Sequence, residues 1–214
     1  MIRVYKHNEA PNSLLRHISW TEEDVINRLQ ADQHGKCYLC ERIRFTDFQV
    51  EHLKSRSNFP ALAYEWSNLF WSCSYCNAKK LASFDNILNP AQQNVEELIH
   101  QSFDFPNTKA IFSTTAESTE QSTATIKILE RLFNGTNRIR TIREQRFYEY
   151  AMSKITSFQN MVTDWLNDSS KENEHAIIEE LSVTSEFLGF KYWIIKSNEH
   201  LLMTFGKYII WNKG

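Results

Sequence analysis

Four cysteines form two Cys-x-x-Cys pairs, and the chain contains no others. The pairs are Cys37 with Cys40 and Cys73 with Cys76. Zn²⁺ accepts four thiolates in a tetrahedron, and two intervening residues let one tight turn present both sulfur atoms of a pair to the same ion. The spacing therefore predicts a structural zinc site. A disulfide, a redox-active pair and unmetallated cysteines are the alternatives.

The stretch between the two pairs is longer than a simple zinc ribbon needs. It contains 32 residues, whereas ribbons and knuckles separate their pairs by roughly 15 to 20 residues. Within it lie Glu51-His52 and Asn68, and Asn77 directly follows the last cysteine. A neutral imidazole can accept a proton near pH 7, and carboxylate and amide oxygens ligate hard divalent cations. These residue types suit metal-dependent hydrolysis.

The order of these elements resembles the HNH endonuclease family. Members with zinc-binding cysteines read, schematically, C-x-x-C, D/E-H, N and C-x-x-C-[H/N]-x-x-K, and residues 37–80 supply each element in that order. Two positions depart from the commonest pattern, because Glu51 stands where Asp is more frequent and Asn77 stands where His is. The resemblance implies a ββα-metal unit, a nucleic-acid substrate (DNA or RNA) and phosphodiester hydrolysis.

The same resemblance implies a role for each polar residue. His52 is expected to be the general base, and Asn68 to fix the loop and the imidazole orientation. Glu51 and Asn77 are expected to hold a catalytic Mg²⁺ or Mn²⁺ ion through oxygen atoms. The structural Zn²⁺ is expected to take no part in catalysis, because four thiolates close its coordination sphere.

The charge distribution differs between the whole chain and this stretch. The formal net charge is −2, which does not indicate a nucleic-acid binder. Residues 36–80 reverse the balance, with seven basic and four acidic side chains. There we expect contacts to nucleic acid from Arg56, Lys79 and Lys80, with solvation as the competing explanation for the two lysines. Further arginines between residues 131 and 146 could bind phosphates or acidic partner residues, with a solvated helix face as the competing explanation.

The elements that position these residues are predicted to be mainly helical, in an α+β fold with few Gly and Pro. We expect a helix starting near Thr21 and ending at Gly35, then a strand over 45–51 and a loop over 53–66. A short strand around 69–71 and a helix beginning near Asn77 complete the unit. Beyond it we expect a hairpin over 103–114, a solvated connector over 113–124, and a long amphipathic helix from Phe147 to Leu166.

The predicted organisation has three parts. Residues 1–35 form an N-terminal arm and helix, residues 36–90 form the zinc-containing unit, and residues 91–214 form a mostly helical region. The apolar stripes of that region indicate core packing, or else a face that docks a partner. Neither a signal peptide nor an apolar membrane span is recognisable, so a cytoplasmic location is expected. Its reducing conditions also keep paired cysteines available to a metal.

Outside the motif the chain resembles the PtuB family, the HNH nucleases of Septu and retron anti-phage defence systems. The resemblance rests on residues 2–11, on Trp-Ser-Asn-Leu at 66–69 and on Thr-Ile-x-x-Leu-x-x-Leu-Phe-Asn at 125–134. It implies an ABC-type ATPase partner, PtuA, and in retron versions a reverse transcriptase with its msDNA. The alternative function is a non-catalytic zinc-binding adaptor that binds nucleic acid or protein.

Overall fold

The computed structural model describes residues 1–43 and 47–211 of the 214. The fold is α+β and mainly helical. The helices of this part of the chain are α1 (Asn12–Leu15), α2 (Glu23–Asp32), α3 (Ser74–Lys79), α4 (Val95–Leu98), α5 (Glu120–Asn134), α6 (Ile142–Asn167), α7 (Lys171–Glu180), α8 (Leu188–Lys196) and α9 (Glu199–Phe205). Its strands are β1 (Phe48–His52), β2 (Leu69–Cys73), β3 (Ile99–Asp104) and β4 (Lys109–Thr114). None of these helices is long and apolar enough to cross a bilayer.

Strands β1 and β2 pair antiparallel, and α3 follows β2 directly, so that a hairpin and a helix form one ββα unit. All five residues of β2 are buried, because each face of the strand packs on a different group. Leu69 and Trp71 contact the apolar side of α2, while Phe70, on the opposite face, joins the larger core. Residues of β2 alternate between the two faces, which accounts for an apolar strand without polar alternation.

The second hairpin joins β3 to β4 and is covered by two helices. The Asn134 side chain, at the end of α5, exchanges hydrogen bonds of 2.8 Å with both the backbone N–H and the carbonyl of Ala110. Helix α8 lies against β3, where a Cβ at Gly189 would come within 2.4 Å of Gln101 Nε2. A side chain at this position would therefore displace the Gln101 amide from its hydrogen bonds with the Met1 amino group and carbonyl.

The ββα unit shares its core with the helices that follow it. The Tyr75 hydroxyl donates to the Leu132 carbonyl of α5 at 2.6 Å, and its ring stacks on Phe147 of α6 at 4.7 Å. The largest core cluster runs from Met1 to Phe190. A second cluster holds the C-terminal half of α6 against α7, α8 and α9. The ββα unit is thus packed on helices of the C-terminal region.

Several predicted boundaries differ from the observed ones. Helix α3 begins at Ser74, so the expected start near Asn77 is wrong by one turn and Asn77 lies inside the helix. Glu22, not Thr21, is the N-cap of α2, and Gly35 lies two residues beyond its C-cap. The predicted connector over 113–124 contains the first turn of α5, which begins at Glu120. The first residues of the predicted strand, 45 and 46, lie outside the described residues.

The two strongest periodic patterns are found where they were predicted. The hairpin over 103–114 is present and is extended by the earlier start of β3 at Ile99. The long amphipathic helix is α6, which begins five residues before Phe147 with a reciprocal capping box between Thr141 and Glu144. The short helix α1 interrupts the arm directly after Pro11. Proline there fixes the backbone angle that a helix start requires.

Candidate metal centre and active site

The four cysteines converge on one buried point. Their Sγ atoms all lie within 4.8 Å of one another, and all four residues are at most 1% exposed. Cys40 Sγ lies 3.9 Å from Cys73 Sγ. Zinc–sulfur bonds of about 2.3 Å in a tetrahedron place sulfur atoms about 3.8 Å apart. The donor set and its spacing fit a tetrahedral zinc ion, and none of the four is in a disulfide.

Two different local structures present the two pairs. The first pair lies in a tight turn after α2, closed by a hydrogen bond of 2.8 Å from the Glu41 N–H to the Cys37 carbonyl. Glu41 takes a left-handed backbone conformation, with φ of 61°. In the second pair Cys73 ends β2 and Cys76 lies in the first turn of α3. The Tyr38 N–H donates to the Trp71 carbonyl at 3.1 Å, which joins the two turns.

The structure brings three of the predicted catalytic residues to one open cavity. Glu51, His52 and Asn77 all line a space of about 620 Å³, together with Arg56 and the indole of Trp20. Glu51 and His52 come from the end of β1, and Asn77 comes from α3. Hairpin and helix thus place a carboxylate, an imidazole and an amide around the same volume.

The imidazole of His52 is held in one orientation. Nε2 lies 3.0 Å from the carbonyl oxygen of Ala63, which can only accept a hydrogen bond. Nε2 therefore carries the proton, and Nδ1 is left as the basic nitrogen. The Trp20 ring meets the imidazole edge-on at 5.4 Å. Burial lowers the pKa of His52 more than the hydrogen bond to Ala63 raises it, so the ring is neutral at physiological pH.

Glu51 is buried next to a buried lysine. Lys80 Nζ lies 3.1 Å from Glu51 Oε1 and donates at 3.0 Å to the His52 carbonyl. Burial raises the pKa of Glu51 from 4.5 to about 7, against the opposing charge of Lys80. One carboxylate oxygen faces the ammonium, and the other is available to a cation.

Asn77 offers an oxygen to the same cavity. Its side-chain amide nitrogen donates a hydrogen bond to Gln49 Oε1. Because this contact uses the amide nitrogen, it leaves Asn77 Oδ1 free to accept a hydrogen bond or to ligate a hard cation. A carboxylate oxygen and an amide oxygen, supplemented by water, form a donor set typical of Mg²⁺.

Asn68 lies outside the cavity and holds the loop that follows β1. Its side chain accepts from the Lys54 N–H at 2.8 Å and donates to the carbonyls of Lys54 and Leu62 at 3.1 Å each. Leu62 directly precedes Ala63, the residue that receives the His52 hydrogen bond. The contact from Asn68 to the imidazole is therefore indirect, through the loop backbone.

Three residues of this site were not identified from the sequence. The Asp85 carboxylate accepts from the Ser55 N–H at 2.6 Å, from the Ser55 hydroxyl at 2.7 Å and from the Asn58 amide at 2.8 Å, and so anchors the same loop. Trp20 and Gln49 line the cavity. The sequence contains no signal for them, because each acts through a contact between elements and none belongs to a recognisable spacing.

The three cations predicted to contact nucleic acid have different surroundings. Arg56 is exposed at the cavity, with its guanidinium 4.5 Å from the centre of the Trp20 ring. Lys79 pairs with Glu144. The Lys80 side chain is 1% exposed and its amine points inward. Burial of the Lys80 amine does not fit its predicted contact with phosphate.

Comparison with known families locates the same unit. The HNH endonuclease family model matches residues 36–83, which include both cysteine pairs, β1, β2 and α3. No curated protein matches the chain. The HNH domain supports a nuclease function with a nucleic-acid substrate, and the cysteine cluster inside it supports metal binding.

Proposed function

We propose that this chain is a metal-dependent HNH endonuclease that hydrolyses phosphodiester bonds. The observation that carries the proposal is the convergence of Glu51, His52 and Asn77 on one open cavity, within the residues that match the family. A lone Glu-His pair or a lone helical Asn is common on protein surfaces. Three such groups from two elements around one cavity supply a base and two oxygen donors for a divalent cation, which are the parts that metal-dependent hydrolysis of a phosphodiester uses.

His52 acts as the general base in this proposal. Its Nε2–H is fixed to the Ala63 carbonyl, so Nδ1 takes the proton from the attacking water. A lowered pKa keeps this nitrogen unprotonated at neutral pH. Asn68 is a positioning residue, since it holds the loop backbone that orients the imidazole.

Glu51 and Asn77 would hold Mg²⁺ or Mn²⁺ through one oxygen atom each, with water and phosphate oxygens as further ligands. When bound, such an ion neutralises charge on the scissile phosphate and stabilises the departing 3′ oxygen. Lys80 keeps the Glu51 carboxylate in place from its buried side. Arg56 lines the same cavity and is exposed, so its guanidinium can contact a phosphate oxygen.

We further infer that the nuclease is the effector of an anti-phage defence complex of the Septu or retron type, active in the cytoplasm. The support is sequence resemblance at residues 2–11, 66–69 and 125–134. In such a complex the ABC-type ATPase PtuA holds the nuclease idle, and retron versions add a reverse transcriptase with its msDNA. Co-expression with the neighbouring genes should yield one complex by size exclusion. Separate elution of nuclease and ATPase would contradict the inference.

One observation favours the alternative, a non-catalytic zinc-binding adaptor. The oxygen donors already have protein partners, since Glu51 pairs with Lys80 and the Asn77 amide bonds to Gln49. In an adaptor these contacts would be permanent. In a nuclease they leave one oxygen of each residue for a cation.

The test compares wild type with His52→Ala, purified with any partner and assayed on DNA and RNA with and without Mg²⁺. Removal of a general base should slow cleavage about 10²- to 10⁴-fold, while zinc content and the melting transition stay close to wild type. His175→Ala is the matched control, because His175 is exposed on α7. Equal cleavage by wild type and His52→Ala would refute the base assignment.

A further inference from the structure

Outward-facing arginines surround the start of α6. Arg138 lies in the loop before the helix, and Arg143 and Arg146 lie three residues apart on the helix, so they share a face. All three are exposed. Within residues 1–43 and 47–211 neither Arg138 nor Arg146 has an ion-pair partner, and Arg143 has only the loose contact of 3.8 Å to the exposed Asp47. The three together are named the α6 basic surface.

The one carboxylate of this segment faces inward. Glu144 is the only acidic residue between 136 and 148, and it is 2% exposed. It pairs with Lys79 and accepts from the backbone N–H groups of Thr136 at 3.2 Å and Thr141 at 2.7 Å. The outward charge of the segment is therefore positive throughout. Arg140 is left out of this surface, because its guanidinium donates a hydrogen bond to the Thr108 carbonyl at 2.6 Å.

The α6 basic surface adjoins the candidate active site. Arg143 Nη2 lies 2.9 Å from the hydroxyl of Ser74, the first residue of α3. Asn77 follows three residues later on the same helix. Arg143 also contacts Asp47, which lies two residues before Gln49, a residue that lines the cavity beside Asn77. Arg143 therefore stands next to the two segments that form this wall of the cavity.

A nucleic acid fits this surface better than an acidic protein does. Arg143 adjoins the cavity where the scissile phosphate would lie, and a polynucleotide carries further phosphates outward from that point at regular spacing. Ile139 and Ile142, 82% and 75% exposed between the arginines, offer apolar contact to sugars. An arginine can bind phosphate oxygens with two parallel hydrogen bonds.

We propose that the α6 basic surface binds the sugar-phosphate backbone flanking the scissile bond and so extends the substrate site beyond the matched family domain. The inference rests on the proposed function for its choice of ligand. The surface belongs to the helical region. Residues 138–146 would bind the sugar-phosphate backbone, while the ββα unit would supply the reacting groups.

The test measures binding without cleavage, in a His52→Ala background. Fluorescein-labelled duplex DNA, single-stranded DNA and single-stranded RNA of equal length are the probes, followed by anisotropy over a range of salt concentrations. The variant combines Arg143→Gln with Arg146→Gln. The control combines Lys171→Gln with Lys207→Gln, which removes the same charge from exposed sites on α7 and the C-terminal turn.

Loss of two phosphate contacts should weaken binding of the preferred probe about tenfold or more and reduce the salt slope by about one for each arginine on duplex DNA. The control should bind like the parent. Unchanged affinity and slope in the arginine variant, or no binding of any probe by the parent, would overturn the proposal. The first of these outcomes would leave an acidic protein as the remaining candidate ligand for the surface.

The cleavage assay separates this inference from the proposed function. With His52 intact, a chain that cleaves equally well with and without the two arginines retains its nuclease function and loses the α6 basic surface. A chain that cleaves nothing, yet loses probe binding in the arginine variant, keeps the surface and loses the nuclease. Melting curves of both double variants should match wild type, because the substituted side chains are exposed.

Discussion

The four-cysteine cluster and the cavity beside it lie in the same ββα unit but are built on opposite principles. The cluster is closed: four buried thiols surround one point and no other ligand is needed. The cavity is open, and its Glu51 carboxylate is held next to Lys80 in surroundings that disfavour its charge. One region can gain stability from a bound metal, whereas the other buries a carboxylate whose ionisation costs stability.

This contrast indicates how the unit divides its tasks. The cluster joins the turn after α2 to β2 and α3, which fixes the frame on which β1 and α3 face each other. The cavity then needs only short-range contacts, such as the bond from His52 to Ala63, to set the geometry of its reacting atoms. Changes in the two regions should consequently separate stability from activity.

The largest effect is expected for Cys73→Ser. A missing thiolate opens the tetrahedron, and zinc binding at such sites contributes directly to folding. The variant should lose its zinc and its cooperative melting transition, measured by elemental analysis and calorimetry. Ser67→Ala, an exposed hydroxyl on the turn before β2, is the control. A folded, zinc-free and fully active Cys73→Ser protein would contradict the structural role of the cluster.

A smaller but substantial effect is expected for Asn68→Ala. The change leaves the Lys54 N–H and the carbonyls of Lys54 and Leu62 without their side-chain partner. Unpaired buried groups cost about 1 to 3 kcal/mol each, and these three groups are only partly buried, so the free energy of unfolding should fall by about 3 kcal/mol, the lower end of their sum. The loop should also become sensitive to limited proteolysis. Wild-type stability with unchanged proteolysis would show that the loop is held by Asp85 alone.

Glu51→Gln should move stability and activity in opposite directions. The folded protein holds the pKa of Glu51 near 7, above the value of 4.5 for an ordinary glutamate, so the fold favours the protonated form. This stabilising contribution is fully present below about pH 4.5 and is lost as the pH rises through about 7. Gln mimics the protonated carboxyl, so at pH 8 without Mg²⁺ the variant should be more stable by on the order of 3 kcal/mol.

Chemical denaturation at pH 5 and pH 8 measures this difference, and cleavage should be lost at both. A variant that is less stable than wild type at pH 8 would mean that the ion pair with Lys80 outweighs the burial of the carboxylate. In that case the cavity would resemble the cluster, as a stabilising feature.

The smallest effect is a gradual change of metal affinity with pH. A ligating carboxylate must be ionised, and without metal Glu51 is half-protonated near pH 7. The affinity for Mn²⁺, measured by calorimetry, should therefore fall about tenfold for each pH unit below 7 and level off above it. A flat affinity between pH 6 and pH 8 would exclude Glu51 as a ligand.

The features with a regular residue spacing, the cysteine pairs and the amphipathic helix, could be predicted from the sequence. Cys-x-x-Cys spacing specifies the sulfur cluster almost without tertiary information, and the apolar period of 3.6 identifies α6. The burial of Lys80 could not be predicted in this way, because an adjacent pair of lysines is typical of a solvated surface. Lys79 is the last residue of α3 and Lys80 is its C-cap in an extended conformation, so the two side chains diverge, one toward Glu144 and the other toward Glu51.

Contacts between distant segments could not be predicted from the sequence either. Trp20 lies outside every motif, yet it meets the imidazole of His52 and the guanidinium of Arg56. Asp85 closes the loop after β1 from beyond α3. Each depends on the three-dimensional path of the chain, and a single sequence contains no spacing rule that reports it.

Cleavage by one preparation before and after addition of Mg²⁺ tests directly whether the cavity is a metal-dependent nuclease site. The protein is first treated with a weak chelator, and elemental analysis checks that it keeps the one zinc ion that the cysteine cluster is expected to bind. We expect no cleavage by this zinc-loaded protein and full activity when Mg²⁺ or Mn²⁺ is added. His52→Ala should not cleave with or without added metal. Cleavage that proceeds without added metal, or that survives in His52→Ala, would contradict this function of the cavity.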